Sequence, residues 1–173
     1  MPMNSRSRRT LLVIVVVAMV VTMAFIFGNS LQGSEASWKT SNAVANFLAP
    51  VLHGVHDLAL KAGVPASLSY EAFVRKFAHF VEYGLLGFEC YAVTVLVVGR
   101  VASPYVWADL FIVLALAVAD EFVQGLAARS SLVSDVVIDF AGACAGMVVA
   151  FIVATLLTKA RPRKRDARPE ARL

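Results

Sequence analysis

Cysteine is almost missing from this chain: there are two in 173 residues, Cys90 and Cys144. Both fall within long apolar runs, so they are expected to pack as small apolar groups, and a disulfide scaffold is excluded. Charge is also scarce. Asp, Glu, Lys and Arg make up 16% of residues against 59% hydrophobic ones, whereas an ordinary soluble domain carries about 25% charged residues. The mean hydropathy of +0.73 excludes a soluble globule, which would have to hide several long apolar runs in one core. No Gly-rich phosphate loop, dinucleotide fingerprint or nucleophile elbow occurs, so the nucleotide-dependent and serine-hydrolase classes have no support. No internal repeat is evident.

What the chain has instead is four apolar runs, at about 11–28, 72–98, 105–126 and 133–158. Each is long enough to cross about 30 Å of hydrocarbon as a helix, which satisfies its own backbone polar groups in lipid. The expected fold is an all-α membrane protein: four transmembrane helices in a single domain over 1–158. The link at 29–71 should form the first outer loop. Within it, apolar residues recur at helical spacing on either side of Pro50 (Val44, Phe47, Leu48, then Val51, Leu52, Val55, Leu58), which predicts short amphipathic helices on the surface or capping the bundle. The first run begins with a basic stretch as an export signal does, but it exceeds the usual 7–15 apolar residues of one. It is expected to be retained.

Orientation follows from Lys and Arg near the span ends. Arg6, Arg8 and Arg9 precede the first span, Arg100 lies in the short link after the second, and the tail at 159–173 carries a further run of basic residues. Both termini and that link are expected on the cytoplasmic side of the cell membrane. The tail is too polar to fold alone and should anchor to anionic headgroups. Nucleic-acid binding is unnecessary to explain it.

This topology brings distant residues to one depth. Lys76, His79 and Glu82 enter at the outer end of the second span, where Asp120, Glu121, Gln124, Arg129, Asp135 and Asp139 are also found. Helical spacing puts Lys76, His79 and Tyr83 on one stripe and Arg75, His79 and Glu82 on the adjoining one, while Asp120 and Gln124 share a face. Gly142 and Gly146 continue the line of Asp135 and Asp139 and would let another helix approach closely. Ionisable residues inside a membrane cost about 2.5–3.5 kcal/mol each on insertion scales, and so they normally face the bundle interior. A packing network would pair Lys76 or Arg75 with Glu82, and Arg129 with Asp120, Glu121 or Asp135. Five acids against three bases leave negative charge over, which protons, a divalent cation or a cationic ligand group would balance.

Lys76-x-x-His79-x-x-Glu82-Tyr83-x-x-Leu86-Gly87, Asp120-Glu121-x-x-Gln124, Arg129, and Asp135-x-x-x-Asp139-x-x-Gly142-x-x-x-Gly146 together resemble the signature of the VanZ-like family, named for an accessory protein of teicoplanin resistance. Ser30-x-Gln32 belongs to the same pattern. The link Gly125-Leu126-Ala127-Ala128 departs from it, since family members often carry a Pro-Gly pair before the arginine. The outer loop is also longer than the family pattern suggests. The resemblance implies a multi-spanning cell-envelope protein, linked in some members to reduced susceptibility to lipoglycopeptide antibiotics.

Three functional classes remain. The favoured one is a binding protein whose outward polar site takes an envelope lipid or a lipid-linked cell-wall precursor. The alternative is a membrane-embedded, metal-assisted hydrolase or transferase acting on a lipid-linked phosphate. There His79 would be general acid or base, Lys76 and Arg129 phosphate clamps, and Glu82, Asp120, Glu121 and Asp139 ligands of a divalent cation. An ion or proton pathway is disfavoured, because below this layer only Glu89 and Asp109 remain on the spans. His53-x-x-His56-Asp57 has the spacing of a metal pair but reads better as the polar face of a surface helix.

Overall fold

An unbroken apolar run without proline satisfies its backbone in lipid only by coiling into a helix, and that is the first element of the computed structural model, which describes residues 4–32, 49–50, 52–63, 69–127 and 132–160. Helix α1 spans Ser5–Ser30, opened by Asn4, whose side chain accepts a hydrogen bond from the Arg6 N–H at 3.3 Å. Residues 52–61 form α2. Helix α3, Tyr70–Val98, is capped by Ser69, whose Oγ accepts from Ala72 N at 3.2 Å, and stops at Gly99 in the left-handed conformation (φ 77°), where glycine has no Cβ to clash. Helix α4 spans Val106–Leu126 and α5 spans Val133–Lys159. The described residues contain no strand.

The all-helical expectation is met. Ser5–Ser30, Ala72–Val98 and Val133–Lys159 are long and apolar enough to cross a membrane. Helix α4 has the length, but Asp109, Asp120 and Glu121 fall within any 18-residue stretch of it, so its sequence alone is more polar than that of a free-standing span. Of the expected helix at 34–49 all but Ala49, and of the basic tail at 159–173 all but its first two residues, lie outside the described residues.

Consecutive long helices run in opposite directions. Arg8, near the start of α1, donates from its guanidinium to the carbonyls of Leu96 and Val97 at the end of α3 (2.5 and 2.7 Å), satisfying carbonyls that a helix end leaves open. Midway, the Thr22 hydroxyl donates to Glu89 Oε1 at 3.1 Å. Tyr83 on α3 donates to the Leu116 carbonyl on α4 at 3.3 Å. Helices α3 and α5 run parallel and share the largest interhelical contact, because small residues face one another there. A Cβ added at Gly142 would overlap the backbone of Phe80, one at Gly146 that of Gly84, and one at Gly87 that of Ala143. The close approach expected of the Gly142–Gly146 spacing is therefore present, and α3 answers it with Gly84 and Gly87. Ile26, Tyr83, Leu86, Val113, Ala117 and Met147 fill the core between the four helices.

At the end where α3 begins, α2 packs Leu52 against Phe73 and Val74. His53 stacks on Tyr70 with ring centroids 4.6 Å apart, and His56 lies 4.8 Å from Phe73. The two imidazoles thus fasten α2 to α3 by aromatic packing.

Deeper in the bundle Asp109 is buried and accepts hydrogen bonds from Thr94 Oγ1 at 2.8 Å and from the Cys90 thiol at 3.5 Å. Cys90 was expected only to fill space; its thiol is also a donor that joins α3 to α4. Asp109→Ala is expected to lower stability by about 1–3 kcal/mol, since buried Cys90 and half-buried Thr94 lose their acceptor. Asp109→Asn, which keeps an oxygen facing Thr94, should cost less. Thermal unfolding of both variants in detergent checks the order.

Candidate functional site

The antiparallel alternation places the first turns of α3, the last turns of α4 and the first turns of α5 at one end of the bundle, so polar residues from three helices meet there. On α4, Asp120 and Gln124 are one turn apart, and Gln124 Nε2 donates to Asp120 Oδ2 at 3.0 Å. Asp120 and Asp139 are both completely buried. His79 Nδ1 on α3 stands 3.6 Å from Asp139 Oδ1 on α5. One ligand atom each from His79, Asp120 and Asp139 lies within 4.8 Å of the others, which makes this trio the candidate cation-holding group among the described residues. The sequence reading had grouped Glu82 and Glu121 with the two aspartates and left His79 for proton transfer.

Above the trio opens a small cleft, walled by Arg75, Lys76, His79, Gln124, Asp135 and Asp139 with Ile138 as its apolar side. Lys76 Nζ is in close ion-pair contact with Asp135 Oδ1, which also accepts from Ser134 Oγ at 3.1 Å. Lys76 therefore pairs across to α5, where helical spacing had suggested Glu82. Ile138 was not foreseen as part of the wall, although its position next to Asp139 is the signal that would have found it.

Of the other expected site residues, Glu121 is buried but turned to the chain: its Oε1 accepts from Leu132 N at 2.6 Å and ties the end of α4 to the start of α5. It holds the frame and does not line the cleft. Tyr83 is fully buried one turn below His79 and joins α3 to α4 through Leu116, so it too positions the walls. Glu82 is half-buried on α3 and outside the cleft wall. Arg129 lies outside the described residues. Ser30 is buried at the end of α1.

The arrangement offers two cationic side chains, a half-buried imidazole, a buried amide and two carboxylates around one cleft. Such a site suits a headgroup that carries negative charge outside and coordinates or donates hydrogen bonds inside. Residues 14–154 match the family model described as VanZ/LLP1, a stretch that contains every residue of the site. No curated protein and no solved structure matches the chain.

Proposed function

The chain belongs to the VanZ/LLP1 family of membrane proteins, and from that premise we propose that it binds a phosphate-bearing envelope lipid or lipid-linked cell-wall precursor in the cleft between α3, α4 and α5. The observation that carries the reading is Arg75 and Lys76 together on the wall of a cleft that His79, Gln124 and Asp139 also line. A phosphate monoester or diester meets both cations there, and charge-assisted hydrogen bonds of this kind contribute about 1.5–3 kcal/mol each.

In this reading α4 is the fourth span of a single membrane domain. Support comes from its two faces: Asp109, Asp120 and Glu121 are buried against the other helices, while Trp107, Phe111, Phe122 and Leu126 are exposed where lipid would lie. Its 21 residues give about 31 Å of helix, enough for the hydrocarbon layer. The end that carries Arg6, Arg8, Arg9 and Arg100 is then cytoplasmic and the cleft opens outward. Sequestering a precursor at that face would lower its capture by lipoglycopeptides such as teicoplanin.

The test is a titration of the protein in nanodiscs with a polyprenyl phosphate and with the same polyprenol lacking phosphate. The phosphorylated lipid is expected to bind at least about tenfold tighter, a difference of about 1.4 kcal/mol; equal affinity sinks the proposal. A second reading, a hydrolase or transferase acting on the same lipid phosphate, is favoured by the pairing of half-buried His79 with buried Asp139, since a carboxylate orients an imidazole for proton transfer. Phosphate released from the lipid by wild-type protein and not by His79→Ala would replace binding with catalysis.

A further inference from the structure

His79, Asp120 and Asp139 come from three different helices, and the geometry points to a single divalent transition-metal site formed by these residues at the base of the cleft. Their ligand atoms all lie within 4.8 Å of one another, and the His79 Nδ1–Asp139 Oδ1 separation is already 3.6 Å. Metal–ligand bonds of about 2.0–2.2 Å put neighbouring donors about 2.8–3.6 Å apart, octahedral to tetrahedral, so small side-chain movements close the group around an ion.

A second observation is independent of that spacing. Asp139 is completely buried, and neither of its carboxylate oxygens accepts a hydrogen bond from the described residues. A buried carboxylate without donors is costly unless a cation meets it, and both oxygens belong to the residue at the centre of the trio. Gln124 meanwhile holds Asp120 through Oδ2, fixing the rotation of that carboxylate as the outer partners of metal ligands do.

The donor set identifies the class of ion. One imidazole with two carboxylates suits Zn²⁺ or Mn²⁺, whereas Ca²⁺ and Mg²⁺ prefer oxygen alone. Three protein ligands leave a coordination position open. That position faces a cleft whose mouth carries Arg75 and Lys76, so a phosphate oxygen would complete it. This last step depends on the lipid-phosphate reading above; the metal site itself does not.

The experiment uses the full chain in detergent, stripped with chelator and reloaded with Zn²⁺ or Mn²⁺, its metal content measured after gel filtration. Wild-type protein is expected to retain about one ion per chain, Asp139→Asn and His79→Ala less than about a tenth of that, and Asp109→Asn, a buried carboxylate away from the trio, the full amount. Cobalt loaded into wild-type protein should give visible absorption bands that chelator abolishes, which reads the site without any variant. Wild-type metal content in both Asp139→Asn and His79→Ala overturns the site, as does a wild-type protein that retains no metal and gives no cobalt bands. Polyprenyl phosphate that binds stripped and loaded protein equally overturns the metal's part in binding and leaves the lipid reading intact. Retained metal with no phosphate binding supports the site and removes the lipid reading.

Discussion

Gly146→Leu is expected to yield no folded protein in detergent, and Gly146→Ala to unfold at a lower temperature than wild type by the equivalent of about 1–3 kcal/mol. The cause is the parallel contact of α3 with α5, the largest between any two helices here. A Cβ at position 146 would occupy the place of the Gly84 carbonyl and press on Phe88 N. Those are backbone atoms, which cannot swing aside as the end of a side chain can, so the helices must part. Parting them also separates Lys76 from Asp135 and His79 from Asp139. Gly28→Ala is the matched control: nothing lies within 4 Å of a Cβ added there, and alanine in a helix gains about 0.5–1 kcal/mol over glycine. Thermal unfolding followed by circular dichroism should move the two alanine variants in opposite directions. Equal stability of Gly146→Ala and wild type would show that α3 and α5 do not meet at this register.

Lys76→Ala is expected to weaken binding of the phosphorylated lipid about 10- to 100-fold, the loss of one charge-assisted contact of about 1.5–3 kcal/mol. It also strands Asp135, whose side chain is 17% exposed beside a lysine at 20%. The stability cost should fall between the ~1 kcal/mol of an exposed pair and the 3–5 kcal/mol of breaking a buried one. The reciprocal exchange, Lys76→Asp with Asp135→Lys, separates the two effects. It restores an ion pair and therefore stability, but moves the cation to the α5 side of the cleft, so affinity should return only in part. Isothermal titration and unfolding of the two single variants and the double variant form the cycle. Unchanged affinity in Lys76→Ala would remove this side chain from ligand binding.

The long helices were legible because length and apolarity alone decide that a segment coils in lipid; α3 and α5 begin within two residues of the expected limits, at Tyr70 and Val133. Contacts within one helix were legible too, since i,i+4 spacing places Gln124 against Asp120. Between helices the close approach at Gly142 and Gly146 was legible, but the pairing of side chains was not. Which residue Lys76 meets depends on how closely α5 approaches α3, and that is set by Gly84 and Gly87 as much as by Gly142 and Gly146. Glu121 looked like a cation ligand by its neighbour Asp120, yet a residue 11 positions on, Leu132, brings an N–H to it. Only the path of the chain between α4 and α5 decides that. Cys90 packs in the core as expected, but its thiol contact was hidden for a similar reason: the carboxylate that accepts it is Asp109, on another helix.

The Lys76–Asp135 pair spans 59 positions of sequence, and that distance is also a delay. Synthesis at about 5–20 residues per second puts about 3–12 s between the emergence of the lysine and that of its carboxylate. The partners of Thr22 and Arg8 on α3, namely Glu89, Leu96 and Val97, follow Lys76 but precede Asp135, so that part of α3 can dock on α1 while Lys76 is still an uncompensated ammonium. The long stem of Lys76 lets the charge stay in the headgroup region meanwhile. Asp135, Ile138 and Asp139 of the cleft wall come from α5, so the cleft can be complete only after that helix has been made.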